Sequence, residues 1–385
     1  MNQHAQLVII GAGPGGYTAA FHAADLGFQV TLIDTRPAPG GVCLYEGCIP
    51  SKALLHAAKL ANDISSAKHL FVTPEVPRLD INNVRTHKDK VVAKLQSGLT
   101  ALAKQRKIAY IQGDAKFINS GTLEIKKADG TLENMTFDHA ILATGSRPVR
   151  LPFLPDSPRV WDSTTALSLP EVPSSLLIIG GGYIGLELGT AYAAFGTPIS
   201  VVEALPQILS TTDKDLADIL IRRLKQTFKT IKTGTKVVKA EETSDGILVT
   251  FEDTTSETYS HILASVGRKP NLEGLGIENT KIQLTDNGFI EVDSARCTDE
   301  RKIYAIGDIT GQPMLAHKAS SEAKVAVEAI AGKAVAYEPR AIPAVVFTDP
   351  ELAWCGLTEN EAREKGLEIT VSKFPWAASG RALTL

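Results

Sequence analysis

The chain has 385 residues, 44% of them hydrophobic and 22% charged, which is enough apolar material for two or three ordinary globular domains. A formal net charge of −3 gives no electrostatic pull toward nucleic acid or an anionic membrane, and four cysteines are too few for a secreted disulfide scaffold. No apolar run approaches the ~18 residues of a spanning helix. Met1-Asn2-Gln3-His4 carries no basic leader region. The expectation is a soluble, cytoplasmic protein with neither nucleic acid nor membrane as partner.

In chain order, Val8-Ile9-Ile10 reads as a short buried strand opening into Gly11-Ala12-Gly13-Pro14-Gly15-Gly16. A helical stretch, Tyr17 to Leu26, follows and is closed by Gly27. A second strand, Gln29 to Ile33, ends at Asp34. This is the context in which a G-x-G-x-x-G is credible as a dinucleotide site. Gly11 permits the tight turn, Gly13 lets the backbone approach a pyrophosphate, and Gly16 lets helix pack on strand. The anion then rests on the amides of the helix N-terminus.

Gly40-Gly41-Val42-Cys43-Leu44-Tyr45-Glu46-Gly47-Cys48-Ile49-Pro50-Ser51-Lys52 comes next. Two cysteines beside a nucleotide fold point to a thiol/disulfide couple that exchanges electrons with a cofactor; two merely neighbouring buried thiols are the alternative. A structural zinc site needs four ligands, and Cys297 and Cys355 stand alone as packing residues, so no metal is expected. Five residues of regular helix rise about 7.5 Å, whereas a disulfide wants Cα atoms about 4.4–6.8 Å apart. The segment must therefore leave the regular helix, with Gly40, Gly41 and Gly47 supplying backbone freedom. Helix resumes at Cys48 with Pro50 in its first turn. Cys48 and Lys52 are then i and i+4 on one face, where a helix N-terminus and an ammonium lower a thiol pKa.

The opening plan returns at Leu177-Ile178-Ile179-Gly180-Gly181-Gly182-Tyr183-Ile184-Gly185. Its helix is closed by Gly196, and its second strand, Ile199 to Val202, ends at Glu203. Gly11 and Gly180, Gly27 and Gly196, Asp34 and Glu203 are each 169 residues apart. Ile141 to Pro148 (with Gly145) is echoed by Ile262 to Pro270 (with Gly267). The fold is therefore expected to be α/β, with two Rossmann-like units holding two dinucleotides at once. Asp34 and Glu203 can each accept two hydrogen bonds from ribose hydroxyls. Glu203 repels a 2′-phosphate and no arginine follows closely, so the second site should take NAD rather than NADP. Glu187 lies in an apolar run, Ile184-Gly185-Leu186-Glu187-Leu188-Gly189, and a carboxylate there needs a partner. Lys52 is the candidate.

These residues, with Ala305-Ile306-Gly307-Asp308, Pro313-Met314-Leu315-Ala316-His317-Lys318 and Phe374 to Ala382, resemble the pyridine nucleotide-disulfide oxidoreductases along the whole chain. The likeness is greatest to the branch that oxidises dihydrolipoamide. The resemblance implies an FAD-binding domain over 1–147, an NAD-binding domain over 148–269, a return to the FAD domain over 270–340, and the start of an α+β interface (dimerisation) domain over 341–385. It places FAD on Gly11, Gly13, Gly16, Asp34, Gly41, Val42, Lys52, Ala115, Gly145, Asp308 and Ala316. It places NAD on Gly180, Gly181, Gly182, Tyr183, Ile184, Gly185, Glu187, Glu203, Val238 and Gly267. Cys43, Cys48, Lys52 and Glu187 are the implied catalytic residues, with Cys43 meeting the substrate dithiol and Cys48 passing electrons to the flavin. His317 is given no role.

The implied reaction is dihydrolipoamide + NAD⁺ → lipoamide + NADH, with the lipoyl domain of a 2-oxo acid dehydrogenase complex as partner. Glutathione and mercuric reductases share the scaffold and remain alternatives, as does an inert flavin-binding fragment. Two departures stand out. Tyr45 replaces the Asn common in relatives, beside Glu46. The chain ends at Leu385 with no histidine beyond His317, so the His/Glu base of the family and a tight homodimer are not expected, and turnover should be weak.

Overall fold

A computed structural model describes residues 3–67 and 79–384; Met1, Asn2 and Leu385, on which the expectations about the chain ends partly rest, lie outside them. The first unit runs β1 (Gln3–Ile10), α1 (Pro14–Asp25), β2 (Val30–Asp34), α2 (Gly41–Glu46), α3 (Cys48–Ser66), α4 (Ile81–Gln105), β3 (Ala109–Asn119), β4 (Thr122–Lys127) and β5 (Leu132–Leu142). β1 lies between β2 and β5, and β2 pairs with β3, all parallel. Leu7, Val8, Ile9 and Leu32 have no exposed surface, because helices cover both faces of such a sheet. Each such side chain contributes roughly 1.5–3 kcal/mol of burial free energy. Beyond β2, the far half of β3 turns antiparallel and forms a meander with β4 and β5.

The second unit runs β6 (Ser146–Pro148), β7 (Val160–Trp161), α5 (Ser163–Ser168), β8 (Leu176–Ile179), α6 (Tyr183–Ala194), β9 (Ile199–Val202), α7 (Lys214–Thr227), β10 (Thr230–Lys232), β11 (Val237–Thr243), β12 (Gly246–Phe251), β13 (Ser256–Tyr259), β14 (His261–Ala264) and β15 (Arg268–Pro270). Its parallel sheet has the order β10-β9-β8-β14-β7. β11, β12 and β13 form a separate antiparallel sheet. The internal duplication is thus visible in the strands: β3-β2-β1-β5 and β10-β9-β8-β14 have the same order. The two echoed segments do more than repeat. As β6 and β15 they pair antiparallel with each other, Arg268 opposite Pro148 and Pro270 opposite Ser146, and make the ribbon by which the chain leaves and re-enters the first unit.

After the ribbon, β16 (Ile303–Ala305) joins the first sheet beside β5, and α8 (Ala316–Ile330) packs on α1. That contact uses small residues: a Cβ on Gly15 would lie 3.3 Å from Ala319 Cβ. The last part of the chain holds a hairpin, β17 (Ala344–Val346) with β18 (Leu352–Trp354), and α9 (Glu359–Glu364). Val346 and Leu352 enter the apolar cluster formed by α3 and α6. No described helix is long and apolar enough to cross a membrane. Cys297 is buried as expected. Cys355 corrects its expectation: it is exposed, because β18 ends at Trp354 and the chain turns at Gly356 (φ +90°).

Candidate active site

The redox segment breaks where its glycines stand. Gly40 and Gly41 take φ +148° and +60°, values costly for any side chain, and α2 runs only to Glu46. A Cβ on Gly47 would lie 2.9 Å from Val42 O, so only glycine lets α3 start against α2. Cys48 becomes the first residue of α3, and the free thiol of Cys43 lies with its Sγ 2.6 Å from Cys48 Sγ. The hydrogen bond from Cys43 holds Cys48 down to about 7, helped by the Lys52 ammonium against the opposing effect of burial. The same bond, with burial, pushes the Cys43 thiol up. In the dithiol state Cys48 is therefore the sulfur that ionises.

Behind it, Lys52 Nζ donates to Glu187 Oε2 at 2.8 Å. Glu187 is 3% exposed, and it also accepts from the Ser51 hydroxyl at 2.7 Å and the Phe347 amide at 3.0 Å. Lys52 Nζ also stands 4.4 Å from the centroid of the Phe347 ring. Two distant parts of the chain, residues 51–52 and 347, thus converge on one carboxylate.

Two cavities open beyond the carboxyl ends of the two parallel sheets. The first, about 330 Å³, runs from Asp34 and Gly13 past the redox turn and Lys52 to Asp308. The second, about 650 Å³, is lined by Gly180, Gly182, Glu203 and Gly267, and on its far side by Met314, Val345 and Trp354. Tyr183, Ile184, Arg268 and Met314 line both. In each unit the helix facing the cavity starts at a glycine, Gly13 or Gly182, that offers no side-chain cap, so its first amides remain available to an anion. A Cβ on Gly41 would lie 2.4 Å from Gly13 Cα, so glycine there keeps the redox turn against the phosphate loop.

The two acids act alike. Asp34 accepts from the Ala12 amide at 2.6 Å and the Arg36 amide at 2.9 Å; Glu203 accepts from the Gly181 amide at 2.6 Å and the Leu205 amide at 2.8 Å. Each carboxylate first pins its own glycine loop. About four lone-pair sites per carboxylate leave room for a ribose as well. These uncapped amides, paired acids and glycine cradles fit two dinucleotides.

The family model of the pyridine nucleotide-disulphide oxidoreductases matches residues 5–323, and the model of that family's dimerisation domain matches residues 342–385. The chain belongs to this family. A dihydrolipoyl dehydrogenase of Haemophilus influenzae is 46% identical over 98% of this chain and 80% of its own length. LpdA from Mycobacterium tuberculosis superposes with a TM-score of 0.91 at 28% identity, over 99% of this chain and 84% of that one. The HOCl-induced flavoprotein disulfide reductase RclA from Escherichia coli superposes with a TM-score of 0.87 at 29% identity, over 98% of this chain and 83% of that one. The family's cofactors are FAD and NAD, and the match over 342–385 supports a homodimer.

Within this family framework the structure gathers most of the expected residues. Gly11, Gly13, Asp34, Gly41, Val42, Cys43, Cys48, Lys52, Gly145, Asp308 and Ala316 line the first cavity. Gly16, Gly181 and Gly185 line neither; they are packing positions, as a Cβ on Gly16 would lie 1.8 Å from Gly11 O. Ala115 is buried in β3 with its side chain in the core. Val238 is half exposed while its neighbour Val237 lines the second cavity. Glu187, expected near the nicotinamide, lies in the wall of the first cavity and is absent from the second, because Lys52 and Ser51 draw it there.

Sequence reasoning missed a polar chain at the shared wall. Asp308 Oδ2 accepts from the Ser146 hydroxyl at 2.5 Å, and Arg268 donates from Nε to Ser146 Oγ at 2.8 Å and from Nη2 to Ser146 O at 2.6 Å. The signal was present, since Ser146 and Arg268 occupy the echoed segments. Only their pairing as β6 and β15 shows that they meet.

Proposed function

We propose that this chain carries two electrons from a dihydrolipoyl dithiol, borne on the lipoyl domain of a 2-oxo acid dehydrogenase complex, through the Cys43–Cys48 couple and FAD to NAD. The observation that carries this reading is the cysteine pair standing at the first cavity beside Lys52 and Glu187, one wall away from the second. Relatives named dihydrolipoyl dehydrogenase at about 45% identity support the choice of substrate. The net reaction is dihydrolipoyl dithiol + NAD⁺ → lipoyl disulfide + NADH + H⁺.

Cys43 exchanges with the substrate: a substrate thiolate attacks it, the Cys43–Cys48 bond breaks, and Cys48 leaves as the thiolate that its surroundings favour. The second substrate thiol then closes the substrate disulfide and leaves Cys43 reduced. Bound FAD supplies two-electron transfer between this dithiol and the nicotinamide. Lys52, steadied by Glu187, holds positive charge beside the leaving sulfur. The glycine loops with Asp34 and Glu203 hold the two dinucleotides, and Glu203 selects NAD. Asp308, Gly145 and Ala316 complete the FAD contacts, and Gly267 and Tyr183 those of NAD.

The test is anaerobic mixing of the flavin-loaded protein with dihydrolipoamide. Cys43→Ser and Cys48→Ser should each keep bound flavin yet lose dithiol-dependent bleaching of its visible absorbance and NADH formation. Full dithiol-dependent NAD reduction by either variant, or a polypeptide that does not hold FAD, would overturn the reading.

A further inference from the structure

Tyr45 and Glu46, between the two redox cysteines, have no part in the chemistry above. The structure ties both to the segment that follows Asp34. Glu46 Oε1 lies 2.8 Å from Arg36 Nη2, with both side chains about two-thirds covered. Arg36 Cζ stands 5.1 Å from the centroid of the Tyr45 ring, and the Tyr45 hydroxyl donates to Pro39 O at 3.2 Å. Arg36 is anchored from the other side as well. Its amide donates to Asp34 Oδ1 at 2.9 Å, and its carbonyl accepts from the Tyr110 hydroxyl at 2.9 Å. The end of α2 is thereby strapped to the loop after β2.

The strap matters because α2, though it packs on α3, α4 and α5 and is held at Gly41 against Gly13, buries little of its own surface at the Glu46 end. It is six residues long, and Leu44 is its one buried residue. Cys43 sits on this short helix while Cys48 opens α3, and Gly47 is the only residue between the two helices. Loss of the anchor at Glu46 loosens the Cys43 side more than the α3 side, which Leu54, Leu55 and Ala58 fix in the core.

We propose that the Arg36–Glu46 ion pair, with Tyr45 stacked beneath the guanidinium, is a positioning device that holds the two sulfurs within reach and so sets the equilibrium between dithiol and disulfide. This rests on reading Cys43 and Cys48 as a redox couple. Closure against glutathione disulfide forms one intramolecular S–S bond, breaks one in the oxidant, and releases two glutathione thiols. Its equilibrium constant scales with the effective concentration of one protein sulfur at the other. Cutting the strap lowers that concentration and makes the disulfide easier to reduce.

The experiment equilibrates the flavin-loaded protein in glutathione redox buffers, quenches with an alkylating reagent and reads the oxidised fraction by mass. Glu46→Gln should lower the closure constant by about three- to tenfold, tenfold corresponding to about 30 mV. Arg36→Lys should retain part of it, and the charge-swapped pair Arg36→Glu/Glu46→Arg should recover toward the parent value. Raising salt should lower the parent's constant toward that of Glu46→Gln and leave the variant unmoved. A folded Glu46→Gln protein with the parent's constant would overturn the proposal. If Glu46→Gln does not fold, Tyr45→Leu, which removes the ring beneath the guanidinium, and the parent's salt response decide instead, and a parent constant indifferent to salt together with an unchanged Tyr45→Leu would also overturn it. A parent with no reversible disulfide would sink the functional reading and the strap with it, whereas a parent couple unaltered by these variants sinks the strap alone.

Discussion

Cys48 shows how one residue's surroundings are read as chemistry. Its thiol is held at about 7, against an ordinary value of 9.0, first by the hydrogen bond from Cys43 and then by the Lys52 charge. In the reduced protein, alkylation of Cys48 should therefore rise through a midpoint near 7. Cys43→Ala should move that midpoint up, and Lys52→Met should move it up by less; mapping the modified cysteine at each pH checks both. The sign for stability follows. A folded-state pKa below the unfolded value means that Cys48 adds stability to the reduced fold as pH rises from about 7 toward 9.0, a gain lost as pH falls through about 7; above 9.0 the raised Cys43 thiol works in the opposite direction. The placement of Lys52 beside Cys48 was legible because a lysine one helical turn past a cysteine needs only local geometry. The partnership with Glu187 was legible too, since a carboxylate in an apolar run demands a cation. Ser51 and Phe347 were not: they complete the same carboxylate, but only tertiary packing brings residue 347 to residue 187.

At the scale of elements, glycine-marked landmarks were the readable part. Strand, turn, helix and acid recur 169 residues apart because each glycine answers a steric demand that repeats: a Cβ on Gly11 would lie 2.3 Å from Ala143 O, and one on Gly180 2.5 Å from Ser265 O. Long α4, the β3–β4–β5 meander and the β11–β12–β13 sheet lie outside that repeat and went unread. Neither was the ionic support beneath Asp308 visible. Glu322 on α8 has no exposed surface; it accepts from the Gly307 amide at 2.6 Å and from Arg296 Nη1 at 3.1 Å, and lies 3.2 Å from Lys318 Nζ. Lys318 in turn donates to Gly307 O and Gly311 O, both at 3.1 Å. The turn that carries Asp308 to the first cavity is thus clamped from below. Removing one member of such a buried set leaves charges unpaired and costs about 3–5 kcal/mol. Glu322→Leu should lose roughly that much in denaturant unfolding. It should also weaken FAD retention by more than tenfold, measured by ultrafiltration of the flavin.

Across the whole molecule, two duplicated units would be independent binding modules if they met only through a linker. They meet instead through the β6–β15 ribbon and through the residues that line both cavities. Arg268 is the clearest case. It belongs to the chain leaving the second unit, yet its guanidinium is held by Ser146, whose hydroxyl is committed to Asp308 of the first. Two of its five N–H donors are used there, leaving three for the junction of the cavities. A change at Asp308 is then felt at Arg268 through one hydroxyl. Ser146→Ala keeps the carbonyl contact but deletes that hydroxyl, leaving Asp308 and Arg268 Nε without their shared partner. The expected outcome is a several-fold loss of affinity for both FAD and NADH, each titrated separately by fluorescence and calorimetry. Ser146→Thr, which restores a hydroxyl, should recover both together. Loss of FAD affinity alone, with NADH binding to the refilled protein unchanged, would mean that the two cavities share a wall but no coupling.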